Sequence, residues 1–103
     1  MKLTLDVENT VTQRDGKMHL DPFEAENSLV MVGILTDQGQ CLTFPFDHAD
    51  VPNQKDHHER VQMFLDEATV LICHNAAYDL LWLWESGFKY DGPVFDTMLA
   101  EYV

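Results

Sequence analysis

The stretch "TVLICHNAAYDLLWLWESGF", residues 69–88, decides the fold class of this chain. Its first five residues, 69–73, are mostly apolar, which is typical of a short buried strand. The remainder predicts an amphipathic helix that ends near Gly87, because glycine is a common helix stop. One face of this helix is predicted to pack on the core through Ala77, Leu80, Leu81, Trp84 and Phe88. A strand that leads directly into a helix favours an α/β domain.

Three further strands are predicted ahead of this unit. Residues 2–8 alternate apolar and polar side chains, and residues 28–36 form a nearly continuous apolar run. A tight turn then leads into a third strand at 40–46, so we expect an antiparallel meander. Helical spacing of apolar residues predicts a helix over 54–68.

One more strand is predicted after the βα unit, at residues 93–96, and Asp96 can cap a third helix that begins just before Val103. The order β-β-β-α-β-α-β-α indicates an α/β sandwich with a mixed sheet. A chain of 103 residues allows at most one domain, so residues 1–103 are assigned to one domain.

The composition limits the function classes. The net charge is −12, from six Lys and Arg against 18 Asp and Glu, so nucleic-acid binding would need metal ions or a basic neighbour. Cys41 and Cys73 lie in apolar runs and are predicted to be buried free thiols in a reducing compartment. No signal peptide or long apolar run is present, so we expect a cytoplasmic protein with no membrane contact.

Two acids, Asp6 and Glu8, share one face of the first predicted strand, while Leu3, Leu5 and Val7 face the other way. Close carboxylates repel each other, and burying either one alone is costly. Mg²⁺ or Mn²⁺ would resolve this, because these ions prefer oxygen ligands. The alternative is an edge strand whose acids face water.

A third acid, Asp79, falls in the first turn of the predicted helix, where the helix dipole favours an anion. His74 and Asn75 lie at the carboxyl end of the preceding strand, where ligands gather in open α/β sheets. Asp79 is therefore either a third member of a carboxylate site or a residue that stabilises the helix start.

Together these motifs resemble the DnaQ-like, or DEDD, superfamily of 3′→5′ exonucleases. "LDVENT" resembles its first motif, Asp-x-Glu on the first strand, and "HNAAYDLLWL" resembles its second, Asn-x-x-x-Asp at a strand-to-helix turn. "FDTMLAEYV" is similar to the segment that follows in family A DNA polymerases of the phage T7 kind. A domain that starts at its own Met1 adds to the phage likeness.

The resemblance implies a ribonuclease-H-like fold and a metal-dependent proofreading activity that releases nucleoside 5′-monophosphates from DNA 3′ ends. It implies two divalent ions, Mg²⁺ or Mn²⁺. Asp6 would bind both ions, Glu8 would bind the one on the nucleophile side, and Asp79 would act on the second, directly or through water. These three acids are the predicted catalytic residues.

The resemblance also implies a substrate site and partners. Asn9 and Thr10 would lie against the 3′-terminal nucleotide, and Asn75 would contact a phosphate or orient the site. Asp96 is expected to be a helix cap and packing anchor rather than a ligand. The partners would be a single-stranded DNA 3′ end and a polymerase domain of the same chain, in the host cytoplasm if a phage encodes it.

The third motif of the superfamily, a fourth acid preceded by Tyr or His, is not present in the sequence. We therefore expect this chain to be the N-terminal part of the exonuclease domain, with weak metal binding and poor activity alone. Two alternatives stay open. One is a ribonuclease of the same superfamily, of the ribonuclease D type, and the other is a degenerate, non-catalytic exonuclease fold.

A group of histidines and a pair of tryptophans each have a structural and a functional interpretation. His48, His57 and His58 resemble a zinc site, but adjacent histidines point in different directions, so a solvated loop that leads into a helix is predicted. Trp82 and Trp84 could stack on bases, but Trp84 belongs to the predicted core stripe.

Overall fold

The computed structural model describes residues 1–10, 12–20, 22–23, 27–46 and 54–100. His48 lies outside the described residues. The elements, in chain order, are β1 Lys2–Asn9, β2 Thr12–Arg14, β3 Lys17–His19, β4 Leu29–Thr36, β5 Cys41–Pro45, α1 Gln54–Glu67, β6 Val70–Cys73, α2 Ala76–Glu85, β7 Val94–Asp96 and α3 Thr97–Ala100.

A five-stranded mixed sheet, in the order β5-β4-β1-β6-β7, forms the centre of the molecule. β1 pairs antiparallel with β4 and parallel with β6; the outer pairs are β4–β5, antiparallel, and β6–β7, parallel. The predicted antiparallel meander is therefore confirmed for β1, β4 and β5. This mixed α/β architecture is compatible with a ribonuclease-H-like fold.

A small hairpin, β2–β3, was not predicted as strands. It forms a separate two-stranded sheet and turns at Asp15 and Gly16, both of which have positive φ. An Asp-Gly pair favours such a turn, because both residues tolerate positive φ. The strands were missed because each has only three residues, too few for alternation to be visible.

One face of the large sheet carries the core. Leu3, Leu5 and Val7 of β1 are buried there, together with Val61 of α1 and Leu83 of α2. The other face is more open. On this face one residue from each of the five strands lies in register with its neighbours. These residues are Cys41, Leu35, Thr4, Ile72 and Phe95. Leu35 and Phe95 in this row remain 46% and 52% exposed.

The predicted core stripe of α2 is wrong in part. The helix buries Ala76, Asp79, Trp82 and Leu83, whereas Trp84 is 54% exposed. Phe88, beyond the helix, is buried as predicted. Because α2 is apolar on most sides, its periodicity could not choose between neighbouring faces.

The prediction for the cysteines is also wrong in part. Both thiols are free, but only Cys73 is buried. Cys41 is exposed because it begins the edge strand β5 on the open face of the sheet. No helix within the described ranges is long and apolar enough to cross a membrane.

Candidate functional site

Asp6 and Glu8 lie in the half of β1 that extends beyond its pairing with β6. β6 pairs with β1 only at residues 2–4, whereas β4 follows β1 as far as Asn9. Both acids are exposed, on the open face of the sheet. The alternative interpretation was an edge strand whose acids face water. It does not apply, because β1 is the central strand of the sheet.

A shallow groove lies beside Asp6. Its register partner on β4 is Gly33, which places no side chain on that face. Thr4, Leu35 and Thr43 contribute to the walls of the groove. The Asp6 carboxylate is therefore accessible from the open side of the sheet.

Asp79 is the third predicted acid, and it is 3% exposed in the first turn of α2. Its Oδ2 atom is buried and has no hydrogen-bond partner within the described part of the chain. Burial, followed by the negative charge of Asp6, raises the pKa of Asp79 to about 7. Hydrogen bonds from the main chain of Val7 and from the Cys73 thiol lower the pKa of Asp79 and so partly oppose these two effects. The structure thus brings Asp79 within electrostatic reach of β1.

The thiol of Cys73 lies beside this carboxyl. Burial and the negative charges of Asp79, Asp96 and Asp6 raise the pKa of Cys73 to about 12. Only the deprotonated form of a cysteine is a good nucleophile. Cys73 therefore serves as a neutral neighbour of Asp79 at physiological pH.

Asp96 fixes the start of α2 from the adjacent strand. Its two carboxylate oxygens accept hydrogen bonds from the main-chain N–H groups of Asn75 and Ala76, at 3.0 and 2.8 Å. It also accepts one from Met98 at the start of α3, at 2.9 Å, which confirms the predicted helix cap. These bonds, led by that from Ala76, lower the pKa of Asp96. The sequence did not reveal that Asp96 also caps α2, because the two lie about 20 residues apart in the chain.

Asn75 itself has a left-handed main-chain conformation, with φ of +73°, and makes no side-chain cap. Its side chain forms no hydrogen bond with any described residue. The predicted phosphate contact by Asn75 stays a prediction.

Asn9 and Thr10, the predicted nucleotide contacts, both make internal hydrogen bonds. The Asn9 amide donates to the carbonyl oxygens of Thr10 and Leu20 and accepts a bond from the Tyr78 hydroxyl. The Thr10 hydroxyl accepts a bond from the main chain of Ser28 at 2.8 Å. A substrate role for their side chains stays a prediction.

The carbonyl oxygen of Leu20 joins three parts of the molecule. It accepts hydrogen bonds from Asn9 Nδ2 at 3.2 Å, from the Tyr78 hydroxyl at 3.4 Å and from Trp82 Nε1 at 3.2 Å. β1 and α2 are thereby connected through the end of the hairpin. This contact could not be predicted from the sequence, because a main-chain oxygen leaves no signature in a side-chain pattern.

His57 and His58 make packing contacts in α1. His57 Nδ1 lies 2.9 Å from the carbonyl oxygen of Pro45. His58 stacks on Phe88 with ring centroids 4.0 Å apart, and its Nε2 lies 3.2 Å from the Ser86 carbonyl oxygen. Both residues lie in α1, within the helix predicted over 54–68, but they are half-buried rather than solvated.

No described group of three or more His, Cys, Asp or Glu side chains is already arranged as a metal site. The chemistry of the acids nevertheless fits a divalent cation. Asp6, Glu8 and Asp79 offer carboxylate oxygens, the ligands that Mg²⁺ and Mn²⁺ prefer. The unpartnered Oδ2 of Asp79 is an atom that either a cation or a proton would satisfy.

The chain is similar to a known protein in its fold and not in a family-level sequence match. No protein-family model matches the sequence, and no curated protein matches it. Among solved structures, the chain is similar to the family B DNA polymerase from the hyperthermophilic archaeon Pyrobaculum calidifontis, with a TM-score of 0.56 and 22% sequence identity. The match covers 82% of this chain and 10% of that polymerase. The chain therefore resembles one part of a much larger polymerase.

Proposed function

We propose that this chain belongs to a metal-dependent 3′→5′ exonuclease domain of a DNA polymerase, which removes nucleoside 5′-monophosphates from DNA 3′ ends. One observation carries the proposal. Asp79 is a buried carboxyl with an unpartnered oxygen, within electrostatic reach of Asp6. A purely structural acid at a helix start would have both carboxylate oxygens exposed or hydrogen-bonded, whereas the buried Oδ2 of Asp79 has no hydrogen-bond partner among the described residues, which is costly for a charged group.

The polymerase context is supported from two directions. The motifs "LDVENT" and "HNAAYDLLWL" resemble those of the DEDD exonucleases, and "FDTML" resembles a family A polymerase segment. The fold resembles part of a polymerase of family B. Assignment to family A, and to a phage, rests on the sequence motifs.

In this mechanism Asp6, Glu8 and Asp79 would hold the metal ions through their carboxylate oxygens. When bound, the ions supply an activated water and stabilise negative charge on the phosphate. Bound cations would also offset the repulsion between the acidic chain and DNA. Asp96 holds the start of α2 in place and therefore keeps Asp79 near β1.

The test uses the full gene product with 5′-labelled single-stranded DNA and with RNA of the same sequence. We expect shortening from the 3′ end that requires Mg²⁺ or Mn²⁺ and proceeds faster on DNA. Asp6→Ala and Asp79→Asn should each reduce the rate by at least about 100-fold. Glu85→Gln is the control, because Glu85 is an exposed acid on the same helix as Asp79.

The outcomes separate the candidate functions. Faster shortening of RNA would assign the chain to the ribonuclease alternative. Unchanged activity in Asp6→Ala would show that the metal assignment is wrong. No metal-dependent shortening of either strand would favour a non-catalytic fold.

A further inference from the structure

The β2–β3 hairpin borders the candidate site. Leu20, directly after β3, accepts hydrogen bonds from Asn9 and Tyr78. Asn9 is the neighbour of Glu8 in the chain, and Tyr78 is the neighbour of Asp79. The base of the hairpin is therefore bonded to residues adjacent to two of the three candidate acids.

These contacts fix the position of the hairpin. Trp82, which is 2% exposed, donates its indole N–H to the Leu20 carbonyl oxygen. On the side of β4, Asn27 is buried and donates to the carbonyl oxygen of His19 at 2.8 Å. Contacts from α2, β1 and the segment before β4 thus converge on the end of β3.

The hairpin differs in charge from the rest of the chain. Arg14 and Lys17 form the register pair next to its turn, and Asp15 is the only acid within residues 12–20. The chain as a whole has six Lys and Arg and a net charge of −12. A phosphate backbone that approaches the site along the hairpin therefore meets two basic residues and one acid, in a chain that is otherwise strongly acidic.

Exposed apolar side chains accompany these cations. Met18 is 63% exposed and Leu20 is 44% exposed. Lys17, the neighbour of Met18, is also exposed. A cation next to apolar surface can contact both the phosphate and the base of an unpaired strand, since single strands present both.

We propose that the β2–β3 hairpin holds the single strand just upstream of its 3′-terminal nucleotide, with Lys17 on a phosphate and Met18 against a base. This inference rests on the proposed function, because that function places a 3′ end beside Asp6 and Glu8. A protein partner would also fit apolar residues, but the cations beside an acidic site favour a polyanion.

The test measures binding of the full gene product to a fluorescent oligothymidylate by anisotropy, with Ca²⁺ in place of Mg²⁺. Lys17→Ala should weaken binding about 3- to 10-fold and reduce the salt dependence of log affinity by about 0.7, the value for one lost contact with a single-strand phosphate. Met18→Ser should weaken binding about 2- to 3-fold without changing the salt dependence, because it removes an uncharged contact.

The matched control is Lys55→Ala, an exposed lysine on α1. It should bind within about 2-fold of the parent protein, as expected for a charge away from the strand. All three side chains are exposed, so the variants should unfold at the same midpoint as the parent protein.

The outcomes separate this inference from the proposed function. If the parent protein degrades 3′ ends but Lys17→Ala binds like Lys55→Ala, the hairpin inference is wrong and the nuclease function stands. Unchanged oligonucleotide affinity in Met18→Ser and Lys17→Ala together would overturn the inference. A parent protein that neither binds nor degrades single strands would overturn both.

Discussion

The carboxyl of Asp79 is buried within electrostatic reach of Asp6, although one residue belongs to α2 and the other to β1. Burial and the charge of Asp6 together raise the pKa of Asp79 to about 7, and no described group pairs with its Oδ2 atom. Near neutral pH this carboxyl therefore exchanges between charged and neutral forms. Its charge state should respond both to pH and to a bound cation.

The pH dependence of stability is the first prediction. The pKa of Asp79 is about 7 in the folded chain, against an ordinary value of about 3.9 when unfolded. Between these values the folded state binds the proton more tightly, so the contribution of Asp79 to the free energy of unfolding falls as pH rises and levels off above about 7. Asp79→Asn should therefore stabilise the chain at pH 8, by about 1–3 kcal/mol, and change it little near pH 4.

Urea denaturation at both pH values measures this difference. Glu85→Gln is the control for the general loss of a negative charge from an acidic chain, and it should shift both midpoints only slightly. If Asp79→Asn and the parent chain lose stability in parallel as pH rises, Asp79 does not titrate in this range.

Stabilisation by metal ions is the second prediction. A ligand that binds only the folded state stabilises it, by about 2.7 kcal/mol when its concentration is one hundred times Kd. Mn²⁺ at pH 8 should raise the thermal midpoint of the parent chain, because it would neutralise the repulsion between Asp6 and Asp79. The increase should be much smaller in Asp6→Asn and in Asp79→Asn.

Differential scanning fluorimetry with and without Mn²⁺ gives the comparison. Na⁺ at matched ionic strength separates specific binding from screening of the net charge of −12. Equal increases in the parent chain and both variants would contradict a metal site at these acids.

The sequence predicted the large sheet well, and the physical reason is its pattern. β1 alternates apolar and polar residues, so its core face and its acidic face followed directly from the period of a strand. The face of α2 could not be predicted in the same way, because apolar residues surround most of the helix.

The candidate site was predictable as a set of residues but not as an arrangement. Asp6, Glu8 and Asp79 were identified from their positions on a strand and in a first helical turn. The burial of Asp79, the capping of α2 by Asp96 and the bonds to the Leu20 carbonyl oxygen depend on contacts between distant segments. Neither helical nor strand periodicity carries that information.

The cap formed by Asp96 gives the third prediction. Asp96→Ala removes the acceptors for the main chain of Asn75, Ala76 and Met98, and should lower the urea midpoint at neutral pH. Since its pKa is lowered in the folded chain, the stabilisation by Asp96 is present above its ordinary pKa and is lost as pH falls through the folded value.

Asp91→Ala serves as the control, because Asp91 is an exposed acid in the loop before β7. Its urea midpoint should stay close to that of the parent chain. If Asp96→Ala and Asp91→Ala unfold at the same midpoint, the bonds from Asp96 do not stabilise the start of α2.

The two tryptophans give the last prediction. Trp82 is 2% exposed and donates its indole N–H to Leu20, whereas Trp84 is 54% exposed. Trp82→Phe should lower the free energy of unfolding by about 1–3 kcal/mol, because it removes buried volume and a hydrogen bond. Trp84→Phe should change it by no more than about 0.5 kcal/mol.

Fluorescence of the same variants reports the two environments separately. The chain with only Trp82 should emit at shorter wavelength and resist quenching by acrylamide, while the chain with only Trp84 should be quenched readily. Because Trp82 connects α2 to the end of the hairpin, Trp82→Phe should also speed amide hydrogen exchange in β3, and Trp84→Phe should not. If Trp84 were instead the protected tryptophan and Trp82 the readily quenched one, Trp84 would belong to the buried face of α2, as helical spacing predicts.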